Sequence, residues 1–127
     1  MDKKKILIVE DDLDLNESIS FFLEVAGYSC TSVSTGSAAL EFIFSKTEFD
    51  VILCDINLPD LVGYEVLRNL LEVSPERKTP FIFLSAYTDK HYIDICMEMW
   101  ADDYITKPFS NKDLIERIMV QLKRWHK

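Results

Sequence analysis

Residues 5–12 read Lys5-Ile6-Leu7-Ile8-Val9-Glu10-Asp11-Asp12, a short continuous apolar run that stops at three consecutive acids. The run has strand length and no polar alternation, which suits a strand covered on both faces. Downstream, Leu15, Ile19, Phe22, Leu23 and Ala26 recur at helical spacing, and Gly27 ends that helix. The same pairing of strand and helix repeats along the chain. A more polar strand at 28–33 is expected at a sheet edge. It leads to a short helix at 37–45, with Ala38, Leu40 and Ile43 or Phe44 expected inward. A third strand at 51–54 carries Asp55 at its end, and Gly63 opens the way to a helix at 64–71. The fourth strand, 81–84, ends at Ser85, and a helix runs from Asp89 or Lys90 to Met99. A short strand at 103–106 ends at Lys107. Ser110 caps the last helix, with Asp113 completing a variant capping box and Leu114, Ile115, Ile118 and Leu122 as the buried stripe. Only the fourth helix lacks a clean face, because Tyr92, Ile93, Ile95, Met97, Met99 and Trp100 point in several directions. Five such units specify an α/β fold: a parallel sheet with helices on both faces.

Composition agrees with one domain and narrows the function. The chain has 127 residues, 48% of them apolar and 28% charged, with 3 Gly and 4 Pro. That is sufficient for one core and excludes disorder or low complexity. No apolar run approaches the ~18 residues of a membrane span, and the amino terminus has no secretory signal pattern. Three widely spaced cysteines, Cys30, Cys54 and Cys96, form no CxxC motif and read as reduced thiols of a cytosolic protein. With 22 acids against 14 bases, the net charge of −8 argues against direct grip on a nucleic-acid backbone.

In an open parallel sheet the functional cleft lies beyond the carboxyl ends of the strands. Those ends carry Glu10, Asp11 and Asp12, then Asp55, Ser85 and Lys107. Crowded carboxylates repel one another, and a hard divalent cation such as Mg²⁺ relieves that repulsion through oxygen ligands. A lysine and a hydroxyl opposite them complete a pocket for a phosphoryl group.

These residues carry a resemblance. ILIVEDD at 6–12, DVILCDINLPDLVGYEVL at 50–67, PFIFLSA at 80–86 and ADDYITKPFSNKDL at 101–114 resemble the receiver domain of two-component response regulators, over residues 4–122 of a single domain at 1–127. The resemblance implies a doubly wound, flavodoxin-like sheet of order 2-1-3-4-5, like that of the chemotaxis regulator. It implies that Asp55 accepts a phosphoryl group from the phosphohistidine of a sensor histidine kinase or phosphotransfer protein. It further implies Mg²⁺ held by Asp11, Asp55, the Asn57 backbone carbonyl and, chiefly through water, Glu10. Lys107 and Ser85 would contact the phosphoryl group, Tyr104 would switch inward with Ser85, and the Lys107–Pro108 bond would be cis. Asp12 is expected to face solvent. Cys54 alternates to the other face of the sheet and is expected in the core, while His91 and His126 read as surface residues.

The family's output face implies a phosphorylation-dependent homodimer in one branch, with Asp103 and Arg117 at positions used for ion pairs between subunits. Ile93 stands where that branch often has a basic residue. Residues 109–127 resemble the helix that precedes a winged-helix domain in such regulators. Two departures stand out: Val62 before Gly63, where Asp is common, and Trp100, where Gly is usual. Trp100 is expected at φ < 0 and partly buried, packed on Met97 and Met99. Other readings of the site are weaker. An aspartate-nucleophile phosphohydrolase needs a DxD on its first strand, whereas the nucleophile candidate here is on the third and is followed by Asn57. A flavin carrier needs a Ser/Thr/Gly-rich loop after strand one, and a phosphorylation-independent pseudo-receiver would not need the full acidic set with Lys107.

Overall fold

The computed structural model describes residues 3–77 and 79–125. Five strands, β1 (Lys5–Val9), β2 (Ser29–Val33), β3 (Val51–Asp55), β4 (Phe81–Ser85) and β5 (Asp103–Thr106), alternate with five helices. The helices are α1 (Leu13–Val25), α2 (Gly36–Phe44), α3 (Gly63–Val73), α4 (Lys90–Glu98) and α5 (Asn111–Trp125). All strand pairs are parallel, in the order β2-β1-β3-β4-β5. That is the order the resemblance implied. β1 and β3, which carry the acids, are therefore adjacent at the centre, with Val9 opposite Cys54.

Strand alternation divides the core into two layers. Leu7, Val9, Ile52, Cys54, Phe81 and Phe83 face α2, α3 and α4, while Ile6, Ile8, Leu53, Ile82 and Leu84 face α1 and α5. β1, β3 and β4 are apolar on both faces because both are covered, whereas β2 is only half-buried, as an edge strand with polar residues should be.

Three local readings need correction. In α2 the inward residues are Gly36, Ala39 and Ile43; Ala38 and Leu40 are half-buried and Phe44 is exposed. The cause is the start of the helix. Thr35 is the N-cap, its hydroxyl accepting the Ala38 N–H at 3.1 Å, so the first turn begins one residue earlier than expected. α3 runs two residues past Leu71, to Val73. Its N-cap is Val62, which offers no side-chain acceptor, so the departure from Asp there costs the helix a cap.

Trp100 is the third correction. It has φ 74° and is 72% exposed, so it is neither extended nor packed. The chain reverses directly after α4, and Trp100 donates its N–H to the Met97 carbonyl at 3.2 Å in the left-handed position that glycine usually fills. Its own carbonyl accepts from the Arg77 guanidinium, which also pairs with Asp102 at 2.9 Å and lies 5.4 Å from the centre of the Trp125 ring. The main chain at Trp100 serves this buried arginine, and the indole is left in solvent. α4 is correspondingly thin in core contacts, with Cys96 buried outright and Ile95 and Met97 exposed.

A side chain with a Cβ resists the left-handed region by ~1–2 kcal/mol, against an added backbone entropy of ~0.4–1 kcal/mol for glycine. Trp100→Gly should therefore raise stability by about 0.5–1 kcal/mol, read as a higher urea midpoint with an unchanged slope. A lower midpoint would mean that the indole contributes packing after all.

Candidate functional site

The carboxyl ends of the strands bring the expected residues together. Glu10 follows β1 and is fully buried; its main chain is fastened by the Glu10 N–H donating to the Val33 carbonyl at 3.1 Å. Asn16, on the first turns of α1, donates its amide to both the Glu10 and Val33 carbonyls at 2.9 Å. This residue was missed in the sequence, although a polar side chain on the inward face of an apolar helix was the available signal. Asp12 is exposed as expected, and its carboxylate caps α1 by accepting the Leu15 N–H at 3.1 Å.

Lys107 closes the site from the other side. Its ammonium donates to Glu10 Oε1 at 2.5 Å and to Asp55 Oδ2 at 2.8 Å. The Lys107 N–H also donates to the Ser85 carbonyl at 2.7 Å, which ties the ends of β4 and β5, and the Lys107–Pro108 bond is cis. Asp55 Oδ1 accepts the Asn57 N–H at 3.1 Å. Ser85 is buried, its hydroxyl accepting the Tyr87 N–H at 3.0 Å. Tyr104 is turned inward and buried, its hydroxyl donating to the Tyr87 carbonyl at 2.9 Å. Tyr87, another residue the sequence reading passed over, also accepts from the Asn57 side-chain amide at 3.1 Å, linking the loops after β3 and β4.

Cys54 lies on the opposite face in the core, where burial pushes its thiol well up, and His91 is exposed. His126 lies outside the described residues. All three cysteines are free thiols.

Burial pushes the Glu10 carboxyl up to about 7, the neighbouring Asp55 adding to the rise and the Lys107 hydrogen bond opposing it. Desolvation thus outweighs the crowding of acids as the cause of the shift. Burial pulls Lys107 down, but its hydrogen bonds to Asp55 and Glu10 outweigh that and hold it above its ordinary value. Carboxylate oxygens of Glu10, Asp11 and Asp55 lie within 4.8 Å of one another. A buried acid reluctant to ionise, beside two more oxygen donors, fits a hard divalent cation.

The comparisons with known proteins follow the geometry. The family model described as "Response regulator receiver domain" matches residues 6–119. The chain belongs to this family. SaeR, a response regulator of Staphylococcus aureus, is 30% identical over 124 residues, covering 95% of this chain and 53% of SaeR. The chain thus spans about half the length of the curated relatives it matches. A CheY-like receiver domain protein from Methanospirillum hungatei superposes with a TM-score of 0.89 at 31% identity, covering 98% of this chain and 97% of that one. The BeF3-activated DrrB receiver domain gives 0.85 at 32% identity, covering 97% and 100%. Among the described residues, this receiver has no helix long and apolar enough to cross a membrane.

The Glu10 shift sets a pH dependence for the metal-free receiver. Its folded pKa lies above the ordinary value of 4.5, so its contribution is full below 4.5 and is lost as pH rises through about 7. The stability of the wild type relative to Glu10→Gln should therefore fall across that window and then level off. Parallel urea titrations in chelator should find it, and a constant difference would place the raised pKa elsewhere.

Proposed function

We propose that Asp55 is the phosphoacceptor of this receiver and that Mg²⁺ is its cofactor. The observation that carries the reading is the Lys107 ammonium, set between the Glu10 and Asp55 carboxylates at the carboxyl end of the sheet. An Asp55 oxygen attacks the phosphorus of a phosphohistidine presented by a sensor histidine kinase or phosphotransfer protein. The P–N bond breaks, its electron pair returns to the imidazole, and an acyl phosphate forms. Phosphoryl transfer of this kind needs positioning and charge neutralisation more than covalent help from the protein. Asp11, Asp55 and the Asn57 carbonyl, with Glu10 chiefly through water, would hold Mg²⁺, which would supply charge neutralisation for the transferring oxygens. Lys107 exchanges its hold on Asp55 for a phosphoryl oxygen. The Ser85 hydroxyl leaves the Tyr87 N–H to donate to the phosphoryl group, with Tyr104 already turned inward beside it.

The phosphohydrolase reading is weaker, because Asn57 cannot act as the acid-base partner that such enzymes place two residues after the nucleophile. A pseudo-receiver would leave the buried Glu10–Lys107–Asp55 set without a use. The reading extends to residues 1–127 as one receiver domain, core about 4–122, working in the cytoplasm as the regulatory part of a response regulator. Acetyl phosphate with Mg²⁺ should add one phosphate by mass, and Asp55→Asn should add none. Mg²⁺ should also raise the melting temperature, by the equivalent of about 2.7 kcal/mol at one hundred times its dissociation constant. Equal labelling of the variant, or a melting temperature indifferent to millimolar Mg²⁺, would remove the assignment.

Phosphorylation is proposed to act on the face made by α4, β5 and α5, through self-association or a partner. Arg117 there already pairs with Asp103 at 2.8 Å and Asp113 at 3.3 Å within one chain. A dimer exchanging these pairs gains no net ion pair, and exposed pairs are worth only about 0–1 kcal/mol. Apolar contact must supply the affinity. Sedimentation should detect phosphorylation-dependent dimers that survive 0.5 M salt; dimers that dissolve in salt would restore the ion pairs to the leading role.

A further inference from the structure

The loop after β3, residues 56–62, is fastened on two sides. Toward the core, Gly63 donates its N–H to the Ile56 carbonyl at 2.6 Å, and Asn57 and Val62 form an antiparallel bridge. Gly63 sits so close to β3 that a Cβ there would lie 2.1 Å from the Asp55 carbonyl oxygen. Toward solvent, the Asp60 carboxylate accepts the N–H groups of Gly36 and Ser37, each at 2.8 Å. These are the first two N–H groups of α2, which have no partner within the helix, and the helix dipole favours an anion beside them. Thr35 takes the third, so the α2 terminus is closed jointly by its own N-cap and by a residue from the neighbouring loop. Leu61 completes the seat: a Cβ on Gly36 would lie 2.3 Å from Leu61 Cγ.

Two features make this contact more than a helix cap. Val62 gives the start of α3 no side-chain acceptor, and the outer end of the loop meets the α2 terminus through Asp60 and Leu61. The same short loop carries Asn57, whose N–H donates to Asp55 Oδ1 at 3.1 Å. We propose that Asp60 is a positioning residue of the pocket: its two-pronged hold on the α2 terminus keeps the Asn57 main chain against Asp55. This rests on the reading of that pocket as a Mg²⁺ and phosphoryl site. Hydrogen bonds from the Ser37 and Gly36 N–H groups hold the Asp60 carboxyl below its ordinary range, so the clamp is ionised at neutral pH. It is also solvent-exposed, so its removal leaves both core layers intact.

The test compares wild type, Asp60→Ala, Asp60→Asn and Ile118→Val, the last a core truncation on the buried face of α5. Mg²⁺ affinity is measured by calorimetry, and amide hydrogen exchange is followed in the metal-free proteins. Asp60→Ala should weaken Mg²⁺ about tenfold, the low end for residues that support metal ligands, and should speed exchange at Asn57 and Gly63. Asp60→Asn, which keeps one acceptor oxygen, should fall between, and Ile118→Val should change neither readout. Mg²⁺ affinity of Asp60→Ala within twofold of wild type, or unchanged exchange at Asn57, overturns the proposal. If the wild type itself binds no Mg²⁺, the functional reading fails, and exchange at Asn57 alone then decides the clamp.

Discussion

The structure depends on one ammonium group. Lys107 reaches Glu10 across 97 residues of sequence and Asp55 across 52, and joins them at the carboxyl end of the central strands. Glu10 is fully buried and Asp55 nearly so, and a cation between them offsets the cost of taking acids out of water. The sheet order is what makes this contact possible. β1 and β3 must be neighbours for the acids to meet, and β4 must run beside β5 for the Ser85 carbonyl to receive the Lys107 N–H. A lysine in that position holds the carboxylates together in the absence of metal and remains available to an incoming anion.

Around that contact the loops are held by polar side chains acting on main chain. Asn16 bonds the ends of β1 and β2, Asp12 caps α1, Asp60 clamps α2, and Ser85 and Tyr104 both engage Tyr87. Few of these contacts are deep, so the rim can rearrange while the apolar layers stay in place. Ser85 and Tyr104 share Tyr87 as partner, which gives a movement at the pocket a direct route to β5. Beyond β5 the charges of Asp103, Arg117 and Asp113 are satisfied within the chain, while Ile95 and Met97 on α4 and Trp100 just after it stand exposed. The proposed output face is thus more apolar than the positions of its charged residues suggest.

The sequence by itself determined the fold class and the pocket's membership. Four-residue apolar runs at 6–9, 51–54 and 81–84 suit strands of a parallel sheet covered on both faces, and Glu10, Asp55 and Ser85 directly follow them. What escaped the sequence has physical causes. The inward face of α2 depends on where the helix starts, and the Thr35 cap moved that start by one residue. The roles of Asn16, Asp60 and Tyr87 depend on which main-chain groups lie opposite them, and those groups come from segments distant in sequence. Trp100 shows tertiary demand prevailing over residue preference. Its φ of 74° belongs to a reversal that aims the Trp100 carbonyl at buried Arg77, a residue 23 positions earlier. Local propensity states what a residue favours when alone; the Thr79 carbonyl and Asp102 hold one end of the Arg77 guanidinium and the Trp100 carbonyl accepts from the other, a partnership only the folded chain sets against the backbone strain.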